Sequence, residues 1–456
     1  MHSKARFPNV IFGASLRPEG AALAIMLMLL FLMLGLLFIL LTTQTARAQT
    51  FTVLHDFTGG SDGAYPWAGL TRDAAGNLYG AASAGGYSGG GCGAPYSGCG
   101  TIFKLTRKGS GWAFTPLYTF QGGYDGVGPY SRVIFGHDGA LYGTTAGGGN
   151  SCYSGTCGTV FRLAPPASAC KTALCSWTEA VLYRFAGGAD GDTPEGDLIF
   201  DQAGNLYGTT QTGGIPGCSG YSCGTVFELT ASNGGWTESI LYKFTGYSDG
   251  YWPYSGVILD KTGNLYGTTS DGGDKSGGGL PQGTAFQLMP AGSGWTKNIL
   301  FTFAFWNDGA IPNGMIFDSA GNLYGTTTAE GDGDGGTVYE LTPSNGNWAF
   351  SVSYAFTGSG GADGPYNGLT MDAAGNLYGT TVKTGAYGYG AVFKLTPSDS
   401  GWTYTSLHDF TGGADGAWPK SSLIFDPNGN IYGTASVGGT GQCNTWGCGV
   451  VWEITP

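Results

Sequence analysis

Short apolar runs alternate with Gly-rich segments along most of this chain, and inside the repeated part no run shows helical periodicity. One stretch illustrates the pattern, because it predicts four strands at 197–201, 205–210, 224–230 and 236–244. The first two are joined by Asp201-Gln202-Ala203-Gly204-Asn205, which is typical of a tight hairpin turn with Gly in the left-handed conformation.

The same four-strand unit recurs seven times. Its marker is Gly-Asn-Leu-Tyr-Gly or a close variant, with the first glycine at positions 76, 139, 204, 263, 321, 375 and 429. An Asp-Gly dipeptide precedes every copy, and a strand such as Gly224 to Leu229 follows it. Four short strands per repeat and no helix predict an all-β, seven-bladed β-propeller with four-stranded antiparallel blades.

The two ends of the repeated region complement each other. Residues 51–57 copy the fourth strand of the repeat, and Leu54 to Phe57 match Leu407 to Phe410 letter for letter. The chain finishes on a third strand, 450–454, with no fourth strand after it. We therefore expect the N-terminal strand to complete the last blade and close the ring, which leaves no open edge at the seam.

Three phrases that recur in fixed order carry a family resemblance. They are Phe-Thr-Gly-Gly-x-Asp-Gly (410–416), Asp-x-x-Gly-Asn-Leu-Tyr-Gly-Thr-Thr (372–381) and Gly-Thr-Val-Phe-x-Leu (224–229). In them the chain resembles the GloVer (Gloeo/Verruco) tandem-repeat family of bacterial exported proteins across nearly all of 51–456. The resemblance implies a surface or extracellular location and no particular activity.

The first 48 residues indicate export. Basic residues precede an uncharged apolar run from Ala21 to Leu41, and Ala46-Arg47-Ala48 has the small-x-small pattern of a signal-peptidase site. We interpret 1–48 as a signal peptide or, alternatively, an uncleaved membrane anchor through 21–41, with 49–456 as the propeller. Either way the propeller is expected to be secreted or at the cell surface, and we expect a monomer.

The cysteine pairs indicate the compartment in which the protein folds, and the net charge indicates which classes of partner it can bind. The ten cysteines form five local pairs, Cys92/Cys99, Cys152/Cys157, Cys170/Cys175, Cys218/Cys223 and Cys443/Cys448, which predict disulfides rather than zinc sites because the spacing is not Cys-x2-Cys. Lys and Arg number 19 against 31 Asp and Glu. The resulting net negative charge disfavours nucleic-acid binding.

Ligand contacts are expected on the face that carries the long Gly-rich loops, since variable loops on a rigid frame usually bind partners. Aromatic residues flank the prolines of those loops: Tyr65, Trp67, Tyr130, Trp252, Tyr254, Tyr366 and Trp418. If exposed, they suit stacking on a glycan or contact with a surface protein. The alternative is packing between blades. Lys420 stands alone among these positions.

Acidic residues of the same loops allow two interpretations. The seven Asp-Gly acids recur in every copy, so we expect them to accept backbone hydrogen bonds within their own turns. Two local clusters depart from the repeat and offer oxygen ligands for Ca²⁺, namely Asp190, Asp192 and Glu195, and Asp332 and Asp334. The alternative is a solvated acidic loop. No other cofactor is expected.

No catalytic motif is present, so a non-enzymatic binding or scaffold protein is the first hypothesis. A carboxylate-dependent glycoside hydrolase or polysaccharide lyase is the alternative. It requires two buried acids about 5–10 Å apart at the channel mouth, with raised pKa values. A purely structural surface protein is the second alternative, and it predicts a flat face without a pocket.

Overall fold

Each repeat folds into one four-stranded antiparallel sheet, and seven such sheets form the predicted all-β propeller. The computed structural model describes residues 49–456 except 90–91, 93–97, 153–154, 167–175, 233–234, 274–280, 305–306, 359–362 and 444, and six helical positions at 26, 28–31 and 33. The seven blades form one compact unit, Thr50–Thr455. Most of the predicted export segment lies outside the described residues, and none of the helical residues described belongs to a helix long and apolar enough to cross a membrane.

Within a blade we number the strands from the central channel outwards. The first strands are Thr71–Arg72, Ile134–Phe135, Ile199–Phe200, Ile258–Leu259, Ala310–Phe317, Thr370–Met371 and Ile424–Phe425. The second strands are Leu78–Ala82, Leu141–Thr145, Leu206–Thr210, Leu265–Thr269, Leu323–Ala329, Leu377–Thr381 and Ile431–Ala435. The third strands are Thr101–Lys108, Thr159–Ala164, Thr225–Ser232, Pro281–Ala291, Asp334–Ser344, Ala391–Ser398 and Val450–Thr455. The fourth strands are Gly111–Thr119, Thr178–Arg184, Gly235–Lys243, Gly294–Ala304, Asn347–Thr357, Gly401–Asp409 and, for blade 7, Thr50–Asp56.

The described connections contain three small elements. Two are hairpins, Ser151–Cys152 with Gly155–Thr156 and Pro216–Cys218 with Tyr221–Ser222, and the third is a 3-10 turn at Tyr247–Asp249.

Ring closure occurs where the sequence predicts it. The N-terminal strand pairs antiparallel with the last strand of the chain, from Thr50 opposite Thr455 to Asp56 opposite Val450. The N–H group of Phe57 then donates to the carbonyl of Gly449 at 3.1 Å. Because the first and last strands of the chain share one sheet, the seventh blade has its full four strands.

Second strands are buried along their whole length, which explains why their sequence is apolar on both faces. Their glycine lies against a third-strand aromatic ring. At Gly208, an added Cβ atom would lie 2.6 Å from Phe227 Cζ and 2.9 Å from Leu198 Cδ2. The glycine of the repeated phrase is therefore a packing requirement.

Tight turns join the first and second strands on the face opposite the long loops. In the first blade, Asp73 accepts hydrogen bonds from the backbone N–H of Asn77 at 2.8 Å and from the hydroxyl of Tyr79 at 3.0 Å. Burial alone would raise the pKa of Asp73, but the hydrogen bonds from Asn77 and Tyr79 lower it. The aspartates of this turn thus serve the fold.

Neighbouring blades meet at their outer edges through one position of the fourth strand, which we call the seam position. Its residue is aromatic in four blades and stacks on the preceding blade, as Phe350 does on Phe301 with 3.9 Å between ring centroids. The other three blades carry charge there. The seven residues are Phe114, Glu179, Glu238, Lys297, Phe350, Tyr404 and, in blade 7, Phe51.

The three charged seams differ in how their charge is compensated. Lys297, whose side chain is 4% exposed, forms an ion pair with Asp249 at 2.9 Å. Glu179 faces Asp125 instead, and Glu238 faces Asp190. The Oε1 atoms of both glutamates are buried without a hydrogen-bond partner. Burial, reinforced by the neighbouring aspartate, raises the pKa of each glutamate to about 7.

Disulfides fix the loops between second and third strands. Cys92–Cys99, Cys218–Cys223 and Cys443–Cys448 are bonded, with Cα–Cα distances of 4.8, 5.2 and 5.1 Å. Cys157 is also disulfide-bonded, whereas Cys170 and Cys175 lie outside the described residues. These bridges fit an oxidising, extracytoplasmic environment.

Candidate functional site

Each blade begins with an Asp-Gly loop that contains a proline and leads into the first strand. The residue before the proline has a left-handed backbone in six of the seven blades, with φ of 55° at Tyr65 and 52° at Trp418. The residue after the proline lines the central channel in all seven blades. We call these seven residues the channel ring: Trp67, Tyr130, Glu195, Tyr254, Asn313, Tyr366 and Lys420.

The scaffold holds this ring through close packing of the loop prolines on glycines of the preceding blade. A Cβ atom added to Gly158 would lie 2.5 Å from Pro194 Cδ, and one added to Gly449 would lie 2.5 Å from Pro66 Cδ. Only glycine allows the proline this close. The channel-ring residues consequently project from a rigid frame into a cavity of about 900 Å³.

Two charged residues of opposite sign belong to the ring. Glu195 comes from blade 3 and Lys420 from blade 7, so they face each other from opposite sides of the channel. Among the described residues, neither has a hydrogen-bond or ion-pair partner. Burial raises the pKa of Glu195 to about 7 against the opposing effect of Lys420. Burial lowers the pKa of Lys420 to about 8, against the opposing effect of Glu195.

Aromatic rings surround the Lys420 ammonium group. Its Nζ atom lies 3.5 Å from the ring centroid of Trp67 and 4.5 Å from that of Tyr366. Trp67 in turn contacts Tyr130 edge to face, with 5.5 Å between centroids. Burial, followed by the charge of Glu195, raises the pKa of Tyr366 to about 12, so its hydroxyl keeps its proton at neutral pH. Cation–π contacts of this kind hold the ammonium in place.

The other charged groups of the channel, Arg132 and Asp197, and the buried amide of Asn313 already have partners. Asp197 accepts the backbone N–H of Arg132 at 2.7 Å, and the Arg132 Nε atom lies 3.2 Å from its carboxylate. The buried amide of Asn313 donates to Thr328 at 2.8 Å and to the carbonyl of Pro365 at 3.1 Å. Glu195 and Lys420 are therefore the channel charges best placed to meet a ligand.

The structure separates the seven predicted aromatic contacts into three groups. Trp67, Tyr130, Tyr254 and Tyr366 line the channel. Tyr65 is only 7% exposed and packs in the core between blades, so it cannot stack on a ligand. Trp252 and Trp418 lie beside exposed loop residues instead, with centroids 6.1 Å from Tyr221 and 5.2 Å from Trp446.

The predicted calcium ligands are not gathered into one site. Asp190 accepts from the Tyr183 hydroxyl and the backbone N–H of Ala186, whereas Asp192 is buried and accepts from Thr193. Glu195 faces the channel. Asp332 is exposed in a loop of blade 5, and Asp334 is exposed at the start of the third strand of that blade. Within the described part of the chain, no group of three or more His, Cys, Asp or Glu side chains could hold a metal ion.

The aspartates of the Asp-Gly dipeptides accept backbone hydrogen bonds within their own loops, as expected from their repetition. Asp62 accepts from the backbone N–H of Thr58 at 2.9 Å and contacts the imidazole of His55 at 3.2 Å. His55 itself stacks on Phe114 of the next blade. Asp363 of blade 6 differs, because it forms an ion pair with Lys383 at 3.0 Å. None of these acids lines the channel cavity.

The sequence alone did not show that Glu195 and Lys420 belong to the same channel site. Along the chain, Glu195 lies close to other acids, and Lys420 is an exception among aromatic residues. The signal that unites them is their register, since each directly follows a loop proline, as do Trp67, Tyr130 and Tyr254.

Comparison with known proteins establishes the family and the fold. The family model described as the Gloeobacter/Verrucomicrobia repeat matches residues 35–281 and 275–456. No curated protein matches the chain in sequence.

The chain is similar to several solved structures at low sequence identity. One is the extracellular domain of a Bacteroides thetaiotaomicron protein described as a one-component system, with a TM-score of 0.50, 14% identity, and coverage of 89% of this chain and 42% of that chain. Two others are the NanB sialidase from Streptococcus pneumoniae (TM-score 0.42, 12% identity, coverage 89% and 70%) and a protein described as a gluconolactonase (TM-score 0.39, 15% identity, coverage 90% and 92%).

Proposed function

This chain belongs to the Gloeobacter/Verrucomicrobia repeat family, and from that premise we propose that it is an extracytoplasmic propeller that binds the end of a glycan in its central channel. The observation that carries the proposal is the channel ring. It places four aromatic side chains, the Glu195 carboxyl group and the Lys420 ammonium group around one cavity of about 900 Å³. Neither of these two charged groups has a hydrogen-bond or ion-pair partner among the residues that the structure describes.

The chemistry of this ring suits a sugar. The C–H faces of a pyranose pack on aromatic rings, while its hydroxyl groups need polar partners placed between those rings. Trp67, Tyr130, Tyr254 and Tyr366 offer the rings, and Glu195 and Lys420 offer the polar partners. A purely structural protein is expected to have a flat face without a pocket. The cavity in the channel therefore favours a binding role.

A matched pair of tryptophan variants tests the proposal. Oligosaccharides selected on a glycan array are titrated calorimetrically into the wild type, Trp67→Ala and Trp252→Ala, with the folded state of each checked by circular dichroism. Loss of a stacking ring should weaken binding by roughly tenfold or more in Trp67→Ala. Trp252→Ala, which changes the rim and not the channel, should bind like the wild type. Equal affinity in Trp67→Ala and the wild type would reject the channel as the site.

A glycoside hydrolase is the second candidate, and the raised pKa of Glu195 favours it. A carboxyl group with a pKa of about 7 suits a general acid. The other channel carboxylate, Asp197, is held by Arg132. If the protein releases reducing ends from the bound oligosaccharide, and both Glu195→Gln and Asp197→Asn abolish that release, the hydrolase hypothesis would replace the binding hypothesis. Bound sugar recovered intact would support binding alone.

A further inference from the structure

The Lys420 ammonium group is a partly buried positive charge without an ion-pair partner among the described residues. Its neighbours are the rings of Trp67 and Tyr366, and no described carboxylate lies within ion-pair distance. The other channel cation, Arg132, already has Asp197. A buried charge without a partner is costly, so an incoming anion would recover free energy that a neutral group would not.

Glu195 favours the same kind of ligand from the opposite side. With its proton, the Glu195 carboxyl group repels no anion and can donate a hydrogen bond to a sugar oxygen. The side chain lies between two tyrosines of the ring, Tyr130 and Tyr254, which come from the neighbouring blades. The channel therefore offers one cationic side, one neutral donor and flat apolar surfaces between them.

The charge of the whole chain limits how many anionic groups the ligand carries. With 19 basic and 31 acidic residues, the formal net charge is −12. A polyanion would be repelled by this charge. A single carboxylate needs only one cation, and Lys420 is the cavity-lining cation that has no ion-pair partner in the described part of the chain.

We propose that the ligand is a glycan whose terminal residue is a uronic acid, with its single carboxylate paired to the Lys420 ammonium and its ring stacked between the channel aromatics. The inference rests on the proposed function, because it names the sugar class that the same channel site selects.

The pH dependence follows from the two unpaired groups. Glu195 is largely neutral below a pH of about 7, and Lys420 is largely charged below about 8. Binding of an anionic sugar should thus be tightest near pH 6 and weaken as the pH rises to 8. The other ionisable groups that face or flank the channel are Tyr130, Tyr254, Tyr366, the Arg132–Asp197 pair and Lys383. Burial raises the pKa of Tyr254 and Tyr366, so these two stay neutral in this range.

The experiment compares pairs of oligosaccharides that differ only at C6 of the terminal residue. Glucuronate-, galacturonate- and mannuronate-capped trisaccharides and their neutral counterparts are titrated into the purified protein at pH 6, 7 and 8. At pH 6 we expect one acidic member to bind at least tenfold more tightly than its neutral partner. Lys420→Met should abolish this preference, and Glu195→Gln should keep it while flattening the change between pH 6 and 7.

A matched control is Lys394→Met, because Lys394 also lies over a tyrosine ring, 5.6 Å from the centroid of Tyr378, but outside the channel. It should leave the preference intact. Neutral members that bind as tightly as acidic ones, with affinity that depends on Trp67, would overturn the inference and leave the proposed function standing. A preference for the acid that persists in Lys420→Met would also overturn it. If no array glycan and no panel member binds, both the inference and the proposed function fail.

Discussion

Replacing Glu179 and Glu238 by glutamine tests how the outer edges of the blades are held together. Both glutamates occupy the seam position, where most blades carry an aromatic ring and one carries Lys297. Each faces an aspartate, and each has a buried Oε1 atom without a hydrogen-bond partner. Glutamine keeps the shape of the side chain and removes the ionisable group.

The magnitude follows from the pKa values. Each glutamate has its pKa raised from 4.5 to about 7, and one pKa unit corresponds to about 1.4 kcal/mol. The upper limit is therefore about 3 kcal/mol per residue. Because both side chains are only partly buried, solvent screening reduces it to about 1–2 kcal/mol. Near 60 °C, a propeller of this size has an unfolding entropy of roughly 0.9 kcal/mol/K, so two substitutions correspond to about 2–5 °C.

The direction with pH is set by the unfolded chain, in which glutamate ionises near 4.5. The stability contributed by the two protonated acids is complete below that pH and is lost as the pH rises through 7. In thermal unfolding followed by circular dichroism, Glu179→Gln/Glu238→Gln should match the wild type near pH 4.5 and exceed its Tm by about 2–5 °C at pH 8. Asp332→Asn, which removes an acid from an exposed loop, is the control and should change little. A double variant that melts below the wild type at pH 8, or a Tm difference that is the same at both pH values, would refute this reasoning.

Three further variants test the packing, the disulfides and the ring closure of the propeller. Gly208→Ala places a Cβ atom 2.6 Å from Phe227 and should cost about 1–3 kcal/mol in urea unfolding, whereas Gly294→Ala, which meets open space, should not. Replacing Cys218 and Cys223 by serine removes a short disulfide and should cost about 2 kcal/mol in the same assay; unchanged stability would contradict this. Deleting residues 50–56 exposes the edge of the last strand, so light scattering should detect association that the full chain does not show; a monomeric, equally stable product would contradict the closure.

The sequence was most informative where repetition and burial coincide. The Leu-Tyr-Gly-Thr-Thr run predicts a strand buried on both faces, and it forms one in the structure. The missing fourth strand after 450–454 predicted the pairing with the N-terminus. Outside blade 5, first strands are shorter than expected, as Ile199–Phe200 shows against the predicted 197–201, because pairing with the second strand covers only two residues there.

The site was harder to predict because the same residue types occur on both sides of the loop prolines. Tyr65 and Trp67 flank one proline, yet Tyr65 is buried between blades and Trp67 lines the channel. In this loop the two side chains diverge at a left-handed backbone, with a φ of 55° at Tyr65, a conformation that non-glycine residues rarely adopt. Local sequence gives no sign of it. Glu195 is likewise close to Asp190 and Asp192 in sequence, but of these three only Glu195 lines the channel.

The most direct test of the channel site is a crystal structure of the protein with a uronate-capped trisaccharide. Our account predicts density for the terminal sugar inside the channel, with its ring against Trp67 and its carboxylate oxygen within about 3 Å of the Lys420 Nζ atom. Density for the sugar on the loop rim near Trp252 or Trp418, with an empty channel, would contradict it.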